Sequence, residues 1–97
     1  MKLQDLKNSM VVEARNGEKY IVIDNLLVGL NEYMTKDEYY NNLKIRCNVK
    51  SRHYHISRDW DIMKIYEVIA YGYGFNEILN PRTNYGFVKL IWERKEV

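Results

Sequence analysis

The chain has little that would staple it or break it. In 97 residues there is one cysteine, Cys47, and one proline, Pro81. A single thiol forms no internal disulfide, so the fold must rest on its core, and a reducing cytoplasmic home is the expectation. No run of about 18 apolar residues is present, which leaves no candidate membrane-spanning helix. The opening MKLQDLKNSM holds no apolar stretch of the kind a secretory signal needs. Net charge is also scarce. The formal balance is +2, weaker than the basic excess of a duplex-DNA binder. Motifs of catalysis are missing as well: there is no CxxC or HxxxH spacing, no GxSxG, no Walker loop and no GxGxxG. YGYGFNE is rich in glycine but lacks the spacing of a phosphate or dinucleotide loop.

What is present describes a small globular domain. Hydrophobic residues make up 46% and charged residues 29%, too apolar a mixture for disorder. The length implies one domain, 1–97. Such a chain buries roughly 60–70% of its unfolded surface, so association with a second copy would help it. Nine tyrosines suit half-buried strands, and they also suit interfaces, where a large ring with a polar tip is favoured.

The patterning predicts a mainly β (α+β) fold: a small antiparallel twisted sheet, or an SH3-like partial barrel, with one or two short helices. MVVEARNGEKYIVID (Met10 to Asp24) places two β-prone runs around Asn16-Gly17, a strong hairpin signal. NLLVGL continues as a third short strand, with Gly29 marking a bulge or a close approach. Thr35 followed by Glu38 reads as a capping box opening a short helix that Asn41 and Asn42 would end. In KIRCNVKSRHYHI the alternation of Ile45, Cys47 and Val49 with Lys44, Arg46, Asn48 and Lys50 predicts a half-buried strand with a basic outer face. Cys47 is then a core residue rather than a nucleophile. DIMKIYEVIAY (Asp61 to Tyr71) fits a helix or a strand, and its β-branched and aromatic content favours a strand. FVKLIWER closes the chain as a strand with Val88, Leu90 and Trp92 on one face. The stretch between them, GYGFNEILNPRTNYG, is a long loop in a small domain, a common setting for function.

The functional signal lies in the distribution of charge. From Tyr39 to Arg58 there is no acidic residue, while Lys44, Arg46, Lys50, Arg52 and Arg58 all fall there. Arginine offers a bidentate fork to phosphate, and aromatic rings offer a face to a base. Two segments combine them. One holds Arg52, His53, Tyr54, Arg58 and Trp60. The other holds Tyr71, Tyr73, Phe75, Arg82, Asn84 and Tyr85. Interleaving of this kind suits a nucleotide or a single strand better than a duplex. The expected ligand contacts are Arg52, His53, Tyr54, Arg58, Tyr73, Phe75, Arg82 and Asn84, with Arg52 or Arg58 supplying charge to a phosphate. His53 and His55 share a strand face but lack the further ligands zinc requires, so no metal and no cofactor is expected. Asp59 and Asp61, either side of Trp60, read as charge partners of the basic segment, with Arg58 the nearest candidate, rather than as an acid–base pair.

LKNSMVVEARNGEKYIVI, with DWDIMKIYE downstream and the terminal WERKE, resembles small accessory proteins encoded by phages and prophages of Gram-positive bacteria, and within them the Thoeris anti-defence family of nucleotide sponges. The resemblance covers most of the chain except the Tyr71 to Tyr85 loop. It implies a non-enzymatic protein of the host-cell cytoplasm that binds and hides a cyclic ADP-ribose-type or cyclic oligonucleotide signal, in pockets between subunits of a homo-oligomer. The alternatives are an anti-CRISPR-type inhibitor that binds a host defence protein or nucleic acid, and a phage accessory protein of another role.

Overall fold

The structure, a computed structural model, describes residues 1–47, 57–69 and 88–96. Six strands form one antiparallel sheet: β1 (Val11–Ala14), β2 (Lys19–Ile23), β3 (Leu26–Val28), β4 (Tyr33–Thr35), β5 (Ile62–Val68) and β6 (Val88–Glu93). Their spatial order is β4-β3-β2-β1-β5-β6, so that among the described residues β4 and β6 stand at the two ends. The expected mainly β antiparallel fold is thus present, in its open-sheet form. Among the described residues the helical elements are single 3-10 turns, at Leu3–Asp5, Lys36–Glu38 and Arg58–Trp60. No helix among them is long and apolar enough to cross a membrane.

Alternation decides which side chains face the core. On one face of the sheet Val12, Tyr20, Val22, Leu27 and Ile65 are all buried, as period-two placement requires. Leu6, Met34, Tyr39, Leu43, Ile45 and Ile62 close over them, with Trp60 and Trp92 packed alongside. Each fully buried large aliphatic contributes about 1.5–3 kcal/mol. The opposite face carries a smaller cluster of Val11 and Val68, backed by Ile21, Tyr66 and Val88. Gly29 is a close approach: a Cβ there would come within 2.9 Å of the Tyr20 ring.

Four details depart from the sequence reading. The Thr35–Glu38 capping box forms, and the Glu38 carboxylate accepts the Thr35 N–H at 2.7 Å. It opens a single 3-10 turn instead of a helix, because Tyr39 is already back in extended backbone and buried in the core. Residues 44–47 join no strand of the sheet. Ile45 makes an isolated bridge to Tyr39, and the N–H groups of Arg46 and Cys47 both turn to the Glu38 carbonyl, at 2.7 and 3.3 Å. Cys47 is half-buried rather than a core residue. Finally, a register shift between Ile65 and Tyr66 sets Trp92 opposite Ile65 and Leu90 opposite Tyr66. An extra residue in a ladder reverses the facing of the residues beyond it, so Trp92 joins the main core while Val88 joins the smaller cluster.

The Asn16-Gly17 hairpin is present with a three-residue loop. The Ala14 carbonyl accepts the Gly17 N–H at 2.9 Å, and the Ala14 N–H donates to the Glu18 carbonyl at 2.9 Å. Gly17 has φ +88°, the left-handed residue that a three-residue hairpin of this form requires.

Candidate functional site

The same backbone device recurs after β4, this time without a glycine. The Tyr40 carbonyl accepts the Leu43 N–H at 2.9 Å, and the Tyr40 N–H donates to the Lys44 carbonyl at 2.8 Å. Leu43 has φ +70°. A leucine in this region is strained, and such strain persists only where the surroundings over-determine it. They do so here. The Leu43 side chain is fully buried, and its carbonyl accepts the Ile62 N–H at 3.1 Å. The Arg94 guanidinium donates to the Asn42 carbonyl at 2.8 Å, and the Leu3 N–H to the Asn41 carbonyl at 2.9 Å. The Asn42 side-chain oxygen accepts the Lys44 N–H at 3.1 Å. A turn anchored from three directions therefore holds Tyr40, Asn42 and Lys44 outward.

Against this turn lies a cleft of about 350 Å³ lined by Tyr40, Asn42, Lys44, Ile45, Arg46, Arg58 and Asp61. Its volume falls in the range of small-molecule sites. Three cations face one carboxylate, and that carboxylate is already engaged. Asp61 is 2% exposed. Its carboxylate accepts the Ile45 N–H at 2.8 Å and sits 3.7 Å from the Arg15 guanidinium. The partner of Asp61 is thus Arg15, reached across the sheet end, and not its neighbour Arg58. Arg46 is oriented by two hydrogen bonds to the Asp37 carbonyl, at 3.1 and 2.7 Å. Arg58 sits on a 3-10 turn whose start is capped by the Ser57 hydroxyl, which accepts the Asp59 N–H at 3.2 Å. Among the described residues no hydrogen bond or ion pair engages the side chain of Lys44 or Arg58. Uncancelled positive charge in a concave surface draws anions.

Glu96, outside the cleft lining, lies within Coulombic range of Lys44 and offsets part of its charge. Arg15 also forms a two-pronged pair with Glu96, so its charge is committed to structure. This hydrogen bond raises the Arg15 pKa and holds the Glu96 carboxyl below the ordinary carboxylate range. Below the cleft, burial chiefly, then the nearby charges of Glu38 and Asp61, raises the Tyr39 pKa. The Tyr39 hydroxyl stays protonated and donates to the Trp60 carbonyl at 2.8 Å.

A second charged cluster lies on the opposite face of the sheet, where Glu13 stands between Lys19 and Lys64 in the cross-strand register. Lys19 Nζ is 3.7 Å from Glu13, and the Tyr66 hydroxyl donates to Glu13 at 3.2 Å. Lys19 is buried, and its ammonium has no hydrogen-bond partner among the described residues. Burial lowers its pKa against the opposing pull of Glu13. Burial also pushes the Tyr66 hydroxyl up to about 12. Its members pair across neighbouring strands as opposite charges do in a ladder, so the row reads as structure.

Of the sequence-predicted ligand contacts, Arg58 lines the cleft. Arg52, His53, Tyr54, Tyr73, Phe75, Arg82 and Asn84 lie outside the described residues, as does His55. Among the described residues no three His, Cys, Asp or Glu side chains converge as metal ligands do. The sequence pattern does not single out Tyr40 and Asn42 as site residues. It marks Lys44 and Arg46 only as charges in the acid-free window, and that window is the signal that points here. Comparison with known proteins adds no assignment: no family model, no curated protein and no solved structure matches the chain.

Proposed function

We propose that this chain is a non-catalytic binding protein that captures a phosphate-bearing nucleotide in the Lys44/Arg46/Arg58 cleft. The reading rests on one observation. Among the described residues, three cations, an exposed tyrosine and an asparagine surround a cleft whose one carboxylate is buried and already paired. Phosphate needs fixed donors, and Arg46 and Arg58 offer planar ones. Asp61 is a poor general base, because Ile45 and Arg15 already hold it. Sequestration of a cyclic ADP-ribose-type or cyclic oligonucleotide signal is the specific role we assign, in keeping with the resemblance to phage-encoded nucleotide sponges.

The test is calorimetry with ADP, cyclic ADP-ribose and a cyclic dinucleotide, followed by recovery of the ligand from denatured protein. The expected result is binding and intact recovery. In the protein carrying Arg58→Ala, affinity should fall roughly ten- to a hundredfold, the worth of one charge-assisted contact. Lys44→Ala should add to it, and Lys7→Ala, outside the cleft, should change little. Recovery of an altered ligand would make the protein an enzyme. Binding undiminished by Lys44→Ala with Arg58→Ala would move the site to the Arg52 or Arg82 segments.

A second reading, docking on another protein, is favoured by a different observation. Ile23, Leu26, Leu30 and Tyr33 are all exposed around strand β4. The partner is either a second copy of the chain or a host defence protein. Native mass spectrometry of the protein purified from cells reads subunit number and retained ligand in one measurement.

A further inference from the structure

The cleft does not end at Tyr40. On the other side of that residue lies a second recess of about 460 Å³, lined by Met1, Lys2, Tyr40, Asn41 and Asn42. Tyr40 and Asn42 line both recesses and stand between them. The two halves differ in chemistry. The first gathers Lys44, Arg46 and Arg58. The second offers one basic residue, Lys2, beside the Met1 side chain, a tyrosine ring and two side-chain amides.

Tyr40 is 53% exposed, yet its place is fixed. Its N–H and carbonyl are both bonded within the turn, and Leu43 plugs that turn into the core. With its backbone fixed, the Tyr40 side chain has only two torsions to order, so its ring presents a stacking face at little entropic cost. The amide of Asn42 is oriented too. Its oxygen is taken by the Lys44 N–H at 3.1 Å, which leaves its NH₂ as the group to donate to a ligand. A simple phosphate would be met by the three cations of the first half and would make no use of the ring and amides of the second.

We infer that the ligand is bipartite: a nucleotide with its phosphate among Lys44, Arg46 and Arg58, and its base against the Tyr40 ring in the second recess, where the Asn41 and Asn42 amides read its polar edge. This rests on the proposed anion reading and adds which residues recognise the base. The backbone strain at Leu43 fits the assignment, since it fixes the wall that the two halves share.

The test compares ligands with and without a base. The full chain, Tyr40→Phe, Tyr40→Ala and Asn41→Ala are each titrated with ADP, cyclic ADP-ribose and inorganic pyrophosphate. The parent should bind at least one nucleotide more tightly than pyrophosphate. Tyr40→Ala should weaken that nucleotide roughly ten- to a hundredfold, the worth of one base–aromatic stack, and weaken pyrophosphate much less, since Tyr40 also borders the phosphate cleft. Tyr40→Phe should retain the nucleotide, since the ring is kept. Asn41→Ala, at an exposed turn position, gives a second reading if Tyr40→Ala unfolds, and should weaken the nucleotide but not pyrophosphate. If no nucleotide binds more tightly than pyrophosphate, or if the variants weaken both equally, the base recess is wrong while the phosphate site stands. If neither nucleotide nor pyrophosphate binds, both readings fall together.

Discussion

Two turns in this molecule share one backbone and differ in how the sequence secures it. Ala14–Glu18 and Tyr40–Lys44 have the same pair of main-chain hydrogen bonds, and in both an asparagine side chain accepts the N–H two residues on. Each needs a left-handed fourth residue. The first uses Gly17, with open space where a Cβ would stand. The second uses Leu43, which has no exposed surface. The first turn is therefore specified by its own residues, and the second by the core that holds its leucine. Local encoding suffices for a connection. A turn that must hold a tyrosine and a lysine at a cleft is fastened from outside, by Leu3, Ile62 and Arg94.

The comparison can be broken most directly at Leu43. Leu43→Ala should lose about 2–5 kcal/mol of stability in chemical denaturation, because it empties a core site and keeps the left-handed strain. Leu43→Gly loses the same side chain but releases about 1–2 kcal/mol of that strain, offset in part by greater freedom of the unfolded chain. The glycine variant should be at least as stable as the alanine variant. The reverse order, usual at buried sites, would show that Leu43 is not held in a left-handed conformation.

A smaller effect is expected at Gly17. Gly17→Ala meets no atom within 4 Å, so its cost is that of the backbone alone, about 1 kcal/mol. Gly17→Asn should cost less, since asparagine tolerates this conformation. A neutral Gly17→Ala would mean that the first turn is not locally encoded after all.

The smallest effect is at the pair between Arg15, in the first turn, and Glu96. Folding lowers the Glu96 pKa, so its contribution is present above the ordinary carboxylate range and is lost as pH falls through the lowered value. Denaturation midpoints of the parent and Glu96→Gln should differ slightly at neutral pH and converge in acid. A gap that persists in acid would show that the Glu96 charge is not its source.

The same contrast explains what can be read in the sequence. The first hairpin, β3, β5 and β6 are legible because alternation and Asn16-Gly17 are local signals. β4 is not, since Tyr33–Thr35 is too short to show a period, and the Thr35–Glu38 box suggests a helix. Ile45 and Cys47 alternate like a strand, yet Ile45 is buried beneath a turn that carries no glycine to announce it. At the cleft, charge is legible through the missing acids, which point to Arg58. Tyr40 is not, because its position depends on Leu43, and nothing in YYNNL marks a leucine that will adopt a left-handed backbone.

The strand order also says where this fold could change over evolutionary time. β1 pairs on one side with its hairpin partner and on the other with β5, Val11 lying opposite Tyr66. In the hairpins a one-residue slip of register turns a strand's side chains to the other face, which constrains their loops. The connection that brings β5 back to β1 is under no such rule. Closure entropy grows only with the logarithm of length, so doubling that connection costs about 0.6 kcal/mol. Entropy alone would let the connection between β4 and β5 lengthen, but Tyr39, Leu43 and Ile45 are buried within it, so its path up to Ile45 is set by the core.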